Sequence, residues 1–379
     1  MFVKRFTLSL LIFSAAGIVH AGTNGLYEIR TVFLIVLENV NWSGIKGNAS
    51  APYINNTLLP MASYAEQYFT PPGLPGSLPN YLWLEAGTNF GVLDSNEPKA
   101  HTFATTNHLA AQLDAAGISW RAYQENISGT ICPTNNSGLY AAYHNPFVYF
   151  DDVITNGSYC LSHIRPYTEF SSDLTNHAVA RYNFITPNLC NDMHNSSGCA
   201  TTNRIRNGDN WLSVEIPKIL SSTAYQNNGA LFITWDEGVS PALEGPIGML
   251  VLSPRAKGGG YSNSTRYTHA SMTRTLQEIF GVRPFLAGAA AAPDLADLFL
   301  PNAATNPLKI AGPSMANGIF SFTVSGIRFG ATNVIESSET LVLWNALRTN
   351  RGTADSFQFS ESVATNASRR FYRVRDFSP

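Results

Sequence analysis

Thr31 to Leu37 is an unbroken run of β-branched and aliphatic residues, the pattern of a strand covered on both faces. Comparable apolar runs recur at Ile118 to Tyr123, Tyr182 to Thr186, Ala230 to Trp235 and Ile247 to Ser253, each bounded by Gly, Pro, Asn or Asp. Between these runs the period lengthens. Asn107 to Ala116 repeats apolar residues at helical spacing, and Ser271 to Phe280 sets Met272, Leu276, Ile279 and Phe280 on one face before Gly281 ends the turn. Buried runs alternating with amphipathic helices predict an α/β fold with a mostly parallel central sheet over residues 22–300.

After Leu300 the pattern shortens. Residues 301–313 are rich in Ala, Asn, Pro and Gly and read as a linker. Residues 314–379 carry short runs at Ile319 to Val324, Thr332 to Glu336, Leu341 to Trp344, Phe357 to Phe359 and Phe371 to Val374, separated by turn residues, which predicts a small C-terminal all-β sandwich. No cluster of catalytic residue types falls within it, so it reads as a spacer or attachment module.

A chain of 379 residues accommodates two such domains. Its 44% hydrophobic and 12% aromatic content supports a large core and excludes wholesale disorder. The formal net charge is −2 with Lys and Arg scattered, which argues against a nucleic-acid partner. At the start, Lys4 and Arg5 precede the apolar stretch Phe6 to Val19, and Val19-His20-Ala21 offers small residues where a signal peptidase reads. The expectation is a signal peptide over residues 1–21, cleaved near Ala21, and a secreted or periplasmic protein. That stretch is shorter than the roughly 20 residues needed to span a bilayer, and no stable membrane insertion is expected. Export permits disulfides. Cys132, Cys160, Cys190 and Cys199 allow three connectivities, of which Cys132 with Cys160 and Cys190 with Cys199 is the most local.

Ligands of parallel α/β sheets bind beyond the carboxyl ends of the strands, so the polar residues after each apolar run are the candidates for chemistry. The first run ends in Glu38-Asn39, either a turn pair or two oxygen ligands. The fourth ends in Asp236-Glu237. Two adjacent carboxylates against apolar walls repel and lose hydration, so a bound cation is the simplest compensation; a solvated turn is the alternative. The third run leads to Asp192 and His194, two residues apart and able to face the same way in an extended segment; a disulfide loop with polar filler is the alternative. His269 directly precedes the helix at Ala270, where an ordinary flanking residue is the alternative role. Such oxygen and imidazole ligands suit zinc, calcium, magnesium or manganese. The Pro- and Gly-rich segment Pro71 to Gly76 delivers Ser77 to a helix start, with Pro79 in the first turn, where a missing amide proton costs nothing. Free amides there favour an ionised serine and a phosphoryl oxygen, and an N-cap is the alternative role for Ser77.

Taken in order, these segments resemble the bacterial phosphoesterase family that contains acid phosphatases and phospholipases C, itself similar to the alkaline phosphatase superfamily. The resemblance is carried by VFLIVLEN (Val32 to Asn39), GSLPNYLWLEAGT (Gly76 to Thr88), GISWRAYQE (Gly117 to Glu125), HNPFVYFDD (His144 to Asp152), ITPNLCNDMH (Ile185 to His194), LFITWDEG (Leu231 to Gly238) and THASMTRTLQEIFG (Thr268 to Gly281). It implies an alkaline phosphatase-like sandwich, with Ser77 as nucleophile and Asn80 as a donor to a phosphate oxygen. It further implies that Glu38, Asn39, Asp236 and Glu237 coordinate metal, and that Asp192, His194 and His269 bind metal or phosphate. Asn195 stands where many members carry Asp. Val40-Asn41-Trp42-Ser43 is nearer the acid phosphatase branch, and the closing Arg369-Arg370-Phe371-Tyr372-Arg373 resembles accessory modules of secreted bacterial enzymes. The expected function is metal-dependent hydrolysis of small phosphate monoesters through a phosphoserine, with His194 or His269 serving departing oxygens. The alternatives are a phospholipase C acting on phospholipid phosphodiesters and an inactive secreted binding or adhesion protein.

Overall fold

The computed structural model describes residues 25–239, 245–300, 308–327, 332–351, 356–362 and 370–377; the expected signal peptide at 1–21 lies outside them, as do residues 301–307 of the expected linker. The chain divides into two compact units, one of Glu28–Leu300 and one that holds the residues after Leu300.

The strands of the first unit are β1 (Thr31–Leu37), β2 (Ser63–Ala65), β3 (Tyr68–Phe69), β4 (Trp120–Gln124), β5 (Ile164–Pro166), β6 (Tyr182–Thr186), β7 (Gly229–Trp235), β8 (Met249–Leu252), β9 (Tyr261–Asn263) and β10 (Tyr267–Thr268). Eight of them form one sheet in the order β5-β4-β6-β1-β7-β8-β2-β9, while β3 and β10 pair separately. Only β8 runs against the rest of that sheet. A parallel neighbour requires a long crossover, and the short return from Trp235 to Met249 leaves β8 antiparallel. The sheet is thus mostly parallel, as the alternating pattern predicts. Central β1 is buried from Val32 to Leu37 and β7 along its whole length, which is why both read as continuous apolar runs.

Two helices position the chemistry. Ser77–Ala86 ends at Gly87, whose φ of 66° is left-handed, and a Cβ there would meet the Leu286 carbonyl oxygen at 2.7 Å. His269–Phe280 begins two residues before the apolar pattern does, because Thr268 and Ser271 form a capping box at its start. Thr273 Oγ1 donates into the backbone of the first helix, at Trp83 O (2.8 Å) and Leu84 O (3.0 Å), and locks the two together. Both expected disulfides form, Cys132 with Cys160 and Cys190 with Cys199.

The second unit contains β11 (Lys309–Ala316), β12 (Ile319–Ser325), β13 (Thr332–Ser338), β14 (Asn345–Arg351), β15 (Ser356–Ser362) and β16 (Phe371–Phe377). They form two antiparallel sheets, β11-β12-β15 and β14-β13-β16. Phe320, Phe322 and Val324 alternate inward from β12 and meet Phe359, Ile335 and Tyr372 in one core. Two sequence expectations differ here. Residues 309–313, read as linker, open β11. Leu341 to Trp344, read as a strand, is the turn between β13 and β14, because the Ser338 hydroxyl takes the Thr340 and Leu341 amides away from ladder pairing.

Candidate active site

The register of β1 with β7 sets Leu37 opposite Trp235, so Glu38 and Asp236 leave the sheet side by side. The Asn39 amide, at a left-handed φ of 53° that asparagine tolerates, donates to Asp236 Oδ1 at 3.0 Å. The Glu237 amide donates to the same oxygen at 2.6 Å. Beyond β6, the Cys190–Cys199 bridge closes the loop that carries Asp192, whose carbonyl accepts from the Glu38 amide at 2.7 Å. Glu38, Asp192 and Asp236 are all fully buried.

Ser77 occupies the first helical position and Gly76 the cap, so the capping role is ruled out for the Ser77 side chain. Instead Ser77 Oγ donates to Glu38 Oε2 at 3.0 Å. One turn further along the same face, the Tyr81 hydroxyl donates to Glu38 Oε1 at 2.8 Å. The helix-end amides differ from expectation: those of Ser77 and Leu78 donate to Ser95 Oγ at 3.1 and 3.3 Å. Asn80 Nδ2 donates to the Gly76 carbonyl at 3.0 Å and braces the loop, and its Oδ1 is buried without a partner.

His144, from HNPFVYFDD, joins the same buried cluster and was not among the residues singled out by strand-end reasoning. It sits on a short 3-10 turn, where no periodicity marks it. Its Nε2 lies 3.2 Å from Glu38 Oε1 and its Nδ1 3.4 Å from Asp192 Oδ2, and its ring stacks on Tyr81 with centroids 5.2 Å apart. His194 stands at the rim, half-buried, with its ring 6.1 Å from that of His144. His269 is buried with both nitrogens engaged: Nε2 donates to the Asp236 carbonyl at 2.6 Å and Nδ1 accepts from the Tyr68 hydroxyl at 3.2 Å. In this arrangement His269 braces the acidic pair.

Electrostatics follow from this crowding. Burial, then the charges of Asp236 and Asp192, push the Glu38 carboxyl well above its ordinary range, against the Tyr81 hydrogen bond. Burial does the same to Asp192. Burial and the Asp236 charge raise Glu237 to about 8, against a hydrogen bond from the Gly76 backbone. Burial lowers His144 to about 3, leaving it neutral and able to ligate.

A divalent cation fits these residues. One ligand atom each from Glu38, His144 and Asp192 lie within 4.8 Å of one another. Asp192 Oδ2, Asp236 Oδ2 and His144 Nε2 are buried with no hydrogen-bond partner, which costs free energy unless something else satisfies them. The donors are hard oxygens and a neutral imidazole.

The model of the Phosphoesterase family matches residues 61–283. A phosphatidylinositol-3-phosphatase of Mycobacterium tuberculosis is 30% identical over 285 residues, 74% of this chain and 86% of the relative. An acid phosphatase of Aspergillus niger is 26% identical over 309 residues, 74% of this chain and 72% of the relative. Among solved structures, a protein in the alkaline phosphatase superfamily from Vibrio parahaemolyticus superposes with a TM-score of 0.48 and 11% identity, over 86% of this chain and 84% of that one.

Proposed function

The chain belongs to the Phosphoesterase family and is a hydrolase of phosphoric esters, and on that premise we propose that it cleaves phosphate monoesters with Ser77 as nucleophile. The observation that carries this reading is the Ser77 hydroxyl donating to buried Glu38 at 3.0 Å, beside Asp236 and Asp192. The names of the relatives, a phosphatidylinositol-3-phosphatase and an acid phosphatase, support a monoester over a phosphodiester.

Glu38 Oε2 takes the Ser77 proton as Oγ attacks phosphorus in line; the Oγ–P bond forms and the bond to the leaving oxygen breaks. His194, at the rim, hands that oxygen a proton. Water then attacks the phosphoserine and gives a proton to His194, restoring it, while the Oγ–P bond breaks, Glu38 returns its proton to Oγ and inorganic phosphate leaves. Tyr81 and Asn39 hold the Glu38 carboxylate in place throughout, Asn39 Nδ2 donating to Oε2 at 2.8 Å. Glu38, Asn39, His144, Asp192, Asp236 and Glu237 would hold the metal, which when bound supplies positive charge to the buried carboxylates and polarises the phosphoryl group. Zinc, calcium, magnesium and manganese all suit the donor set. The two disulfides support export to an oxidising compartment.

Replacing Ser77 with Ala leaves the fold intact and removes turnover of an aryl phosphate, and acid-quenched wild-type enzyme carries phosphate on Ser77 by mass spectrometry. A Ser77→Ala enzyme with wild-type turnover would falsify the assignment. The second reading, favoured by the name of the Mycobacterium tuberculosis relative, is that the monoester is carried on a lipid; a phosphoinositide assayed beside the aryl phosphate separates the two.

A further inference from the structure

A helix leaves its first few N–H groups without helical partners, and at the start of the Ser77–Ala86 helix each of these is accounted for within the protein. The Gly76 backbone bonds Glu237, and Pro79 has no amide. The amides of Ser77 and Leu78 both donate to Ser95 Oγ, at 3.1 and 3.3 Å. Neither is open to a phosphoryl oxygen, and Asn80 Nδ2, the other donor that the sequence suggested, is turned to the Gly76 carbonyl.

Ser95 supplies what they do not. A hydroxyl that accepts two hydrogen bonds has used its lone pairs and still carries a proton to give. That of Ser95 has no acceptor among the described residues, and the side chain is half-buried, so part of it stays open. Its oxygen lies 3.1 Å from the amide of the very residue that carries the nucleophilic Oγ. Two N–H groups at the positive end of a helix draw charge from that oxygen and strengthen the hydrogen bond it gives. Fully buried Asn80, on the same first turn, keeps its Oδ1 without a partner, so this helix end holds a donor and an acceptor that the protein itself leaves unmet.

Ser95 is fixed from both sides. Before it, the Val92 amide donates to the Asn89 carbonyl at 2.9 Å and Asn89 Nδ2 to the Val92 carbonyl at 2.6 Å. After it, the Asn96 amide donates to Asp94 Oδ1 at 3.1 Å and the Tyr149 hydroxyl to the Asn96 carbonyl at 2.7 Å. A Cβ on Gly76, whose φ is 81°, would meet Ser95 Oγ at 2.9 Å, so glycine there leaves the hydroxyl its room. A group so held is poorly suited to be pushed aside by an incoming phosphate. We propose that Ser95 is a further catalytic residue, its hydroxyl donating to a non-bridging oxygen of the phosphoryl group as that group passes to Ser77. It gives a hydrogen bond and keeps its proton, and through it the charge of the helix end reaches the substrate. The inference rests on the reading of Ser77 as nucleophile and adds a donor to it.

The test is steady-state turnover of a soluble aryl phosphate by three variants of the full chain. Ser95→Ala lowers kcat by about 100-fold with KM changed far less. Ser95→Thr keeps the hydroxyl and restores most of the rate. Ser95→Asp accepts both amides, as a helix start favours, and has no proton to give; its unfolding temperature is no lower than that of the wild type, and its turnover stays low. Aspartate would replace a residue that only capped the helix, so recovery of turnover in Ser95→Asp overturns the proposal. A wild-type kcat in Ser95→Ala overturns it too, as does tighter inhibition of that variant by inorganic phosphate, which would make the freed amides the binding site and Ser95 an obstacle. Acid quenching separates this inference from the one beneath it. Wild-type enzyme with phosphate on Ser77, beside an unimpaired Ser95→Ala enzyme, overturns the role of Ser95 alone; wild-type enzyme with none on Ser77 overturns the nucleophile.

Discussion

His108 lies between Glu85 and Asp152, and His144 lies between Glu38 and Asp192; both rings are buried, and each stacks on an aromatic neighbour, Phe150 for His108 and Tyr81 for His144. Their protonation is driven in opposite directions. Burial depresses His108, but its hydrogen bonds to Asp152 and Glu85, at 3.0 and 2.9 Å, outweigh that and raise it from 6.5 to about 9. The carboxylates beside His144 come as near as 3.2 and 3.4 Å without hydrogen-bond geometry, and burial takes that ring down to about 3. The chain therefore supplies the first carboxylate pair with a cation of its own. The second has no such internal cation, and in the proposed reading a metal ion takes that place; the lesson is that aim, more than residue type, separates the two clusters.

The severest challenge to this contrast is metal removal. Chelation should lower turnover on the order of 10³-fold, about 4 kcal/mol of transition-state stabilisation. Readdition of zinc, calcium, magnesium or manganese should restore it, and the reloaded protein should unfold at a higher temperature. Full turnover in protein shown to be metal-free by elemental analysis would break the comparison.

A smaller effect tests the other side. The folded pKa of His108 lies above its unfolded value of 6.5, so its contribution is fully present below pH 6.5 and is lost as pH rises through about 9. The full shift corresponds to about 3 kcal/mol as an upper bound. Burial also raises Glu85, against the bonds from His108 and the Ala110 amide, so the net worth of the pair is smaller. Urea unfolding between pH 6.5 and 9 should show stability falling in the wild type and a much flatter profile in His108→Gln. Parallel profiles would remove His108 as the internal cation.

The same distinction between aim and residue type explains what was legible in the sequence. Strands β1 and β7 could be read because a buried parallel strand is apolar without interruption, and their ends named Glu38 and Asp236 without any contact information. Ser77 could be read because Pro and Gly mark a stiff loop before a helix. His144 lay in a recognised segment, but nothing in its spacing shows that its ring reaches Glu38, a residue 106 positions away in the chain. The engagement of both His269 nitrogens, and of the helix-end amides by Ser95, are likewise products of tertiary packing. In the second unit the apolar run at Leu341 to Trp344 misled for the opposite reason: hydrophobicity marked exposure at a turn, where pattern alone expects burial.

The subtlest way to sharpen the contrast is Tyr81→Phe. Phe150 offers His108 only a ring face, which suits a charged imidazole. Tyr81 offers His144 a ring face and also donates its hydroxyl to Glu38 Oε1 at 2.8 Å. Phenylalanine at position 81 keeps the stack and deletes only that bond, freeing the carboxylate to rotate away from the direction in which it faces Ser77 and Asp192. Lost orientation of a ligand typically weakens metal binding by about tenfold, roughly 1.4 kcal/mol. A calorimetric metal titration of the variant should therefore show that loss with the metal-free unfolding temperature nearly unchanged. An unaltered affinity would mean that Glu38 is held by Asn39 and Ser77 alone, and that Tyr81 is to His144 only what Phe150 is to His108.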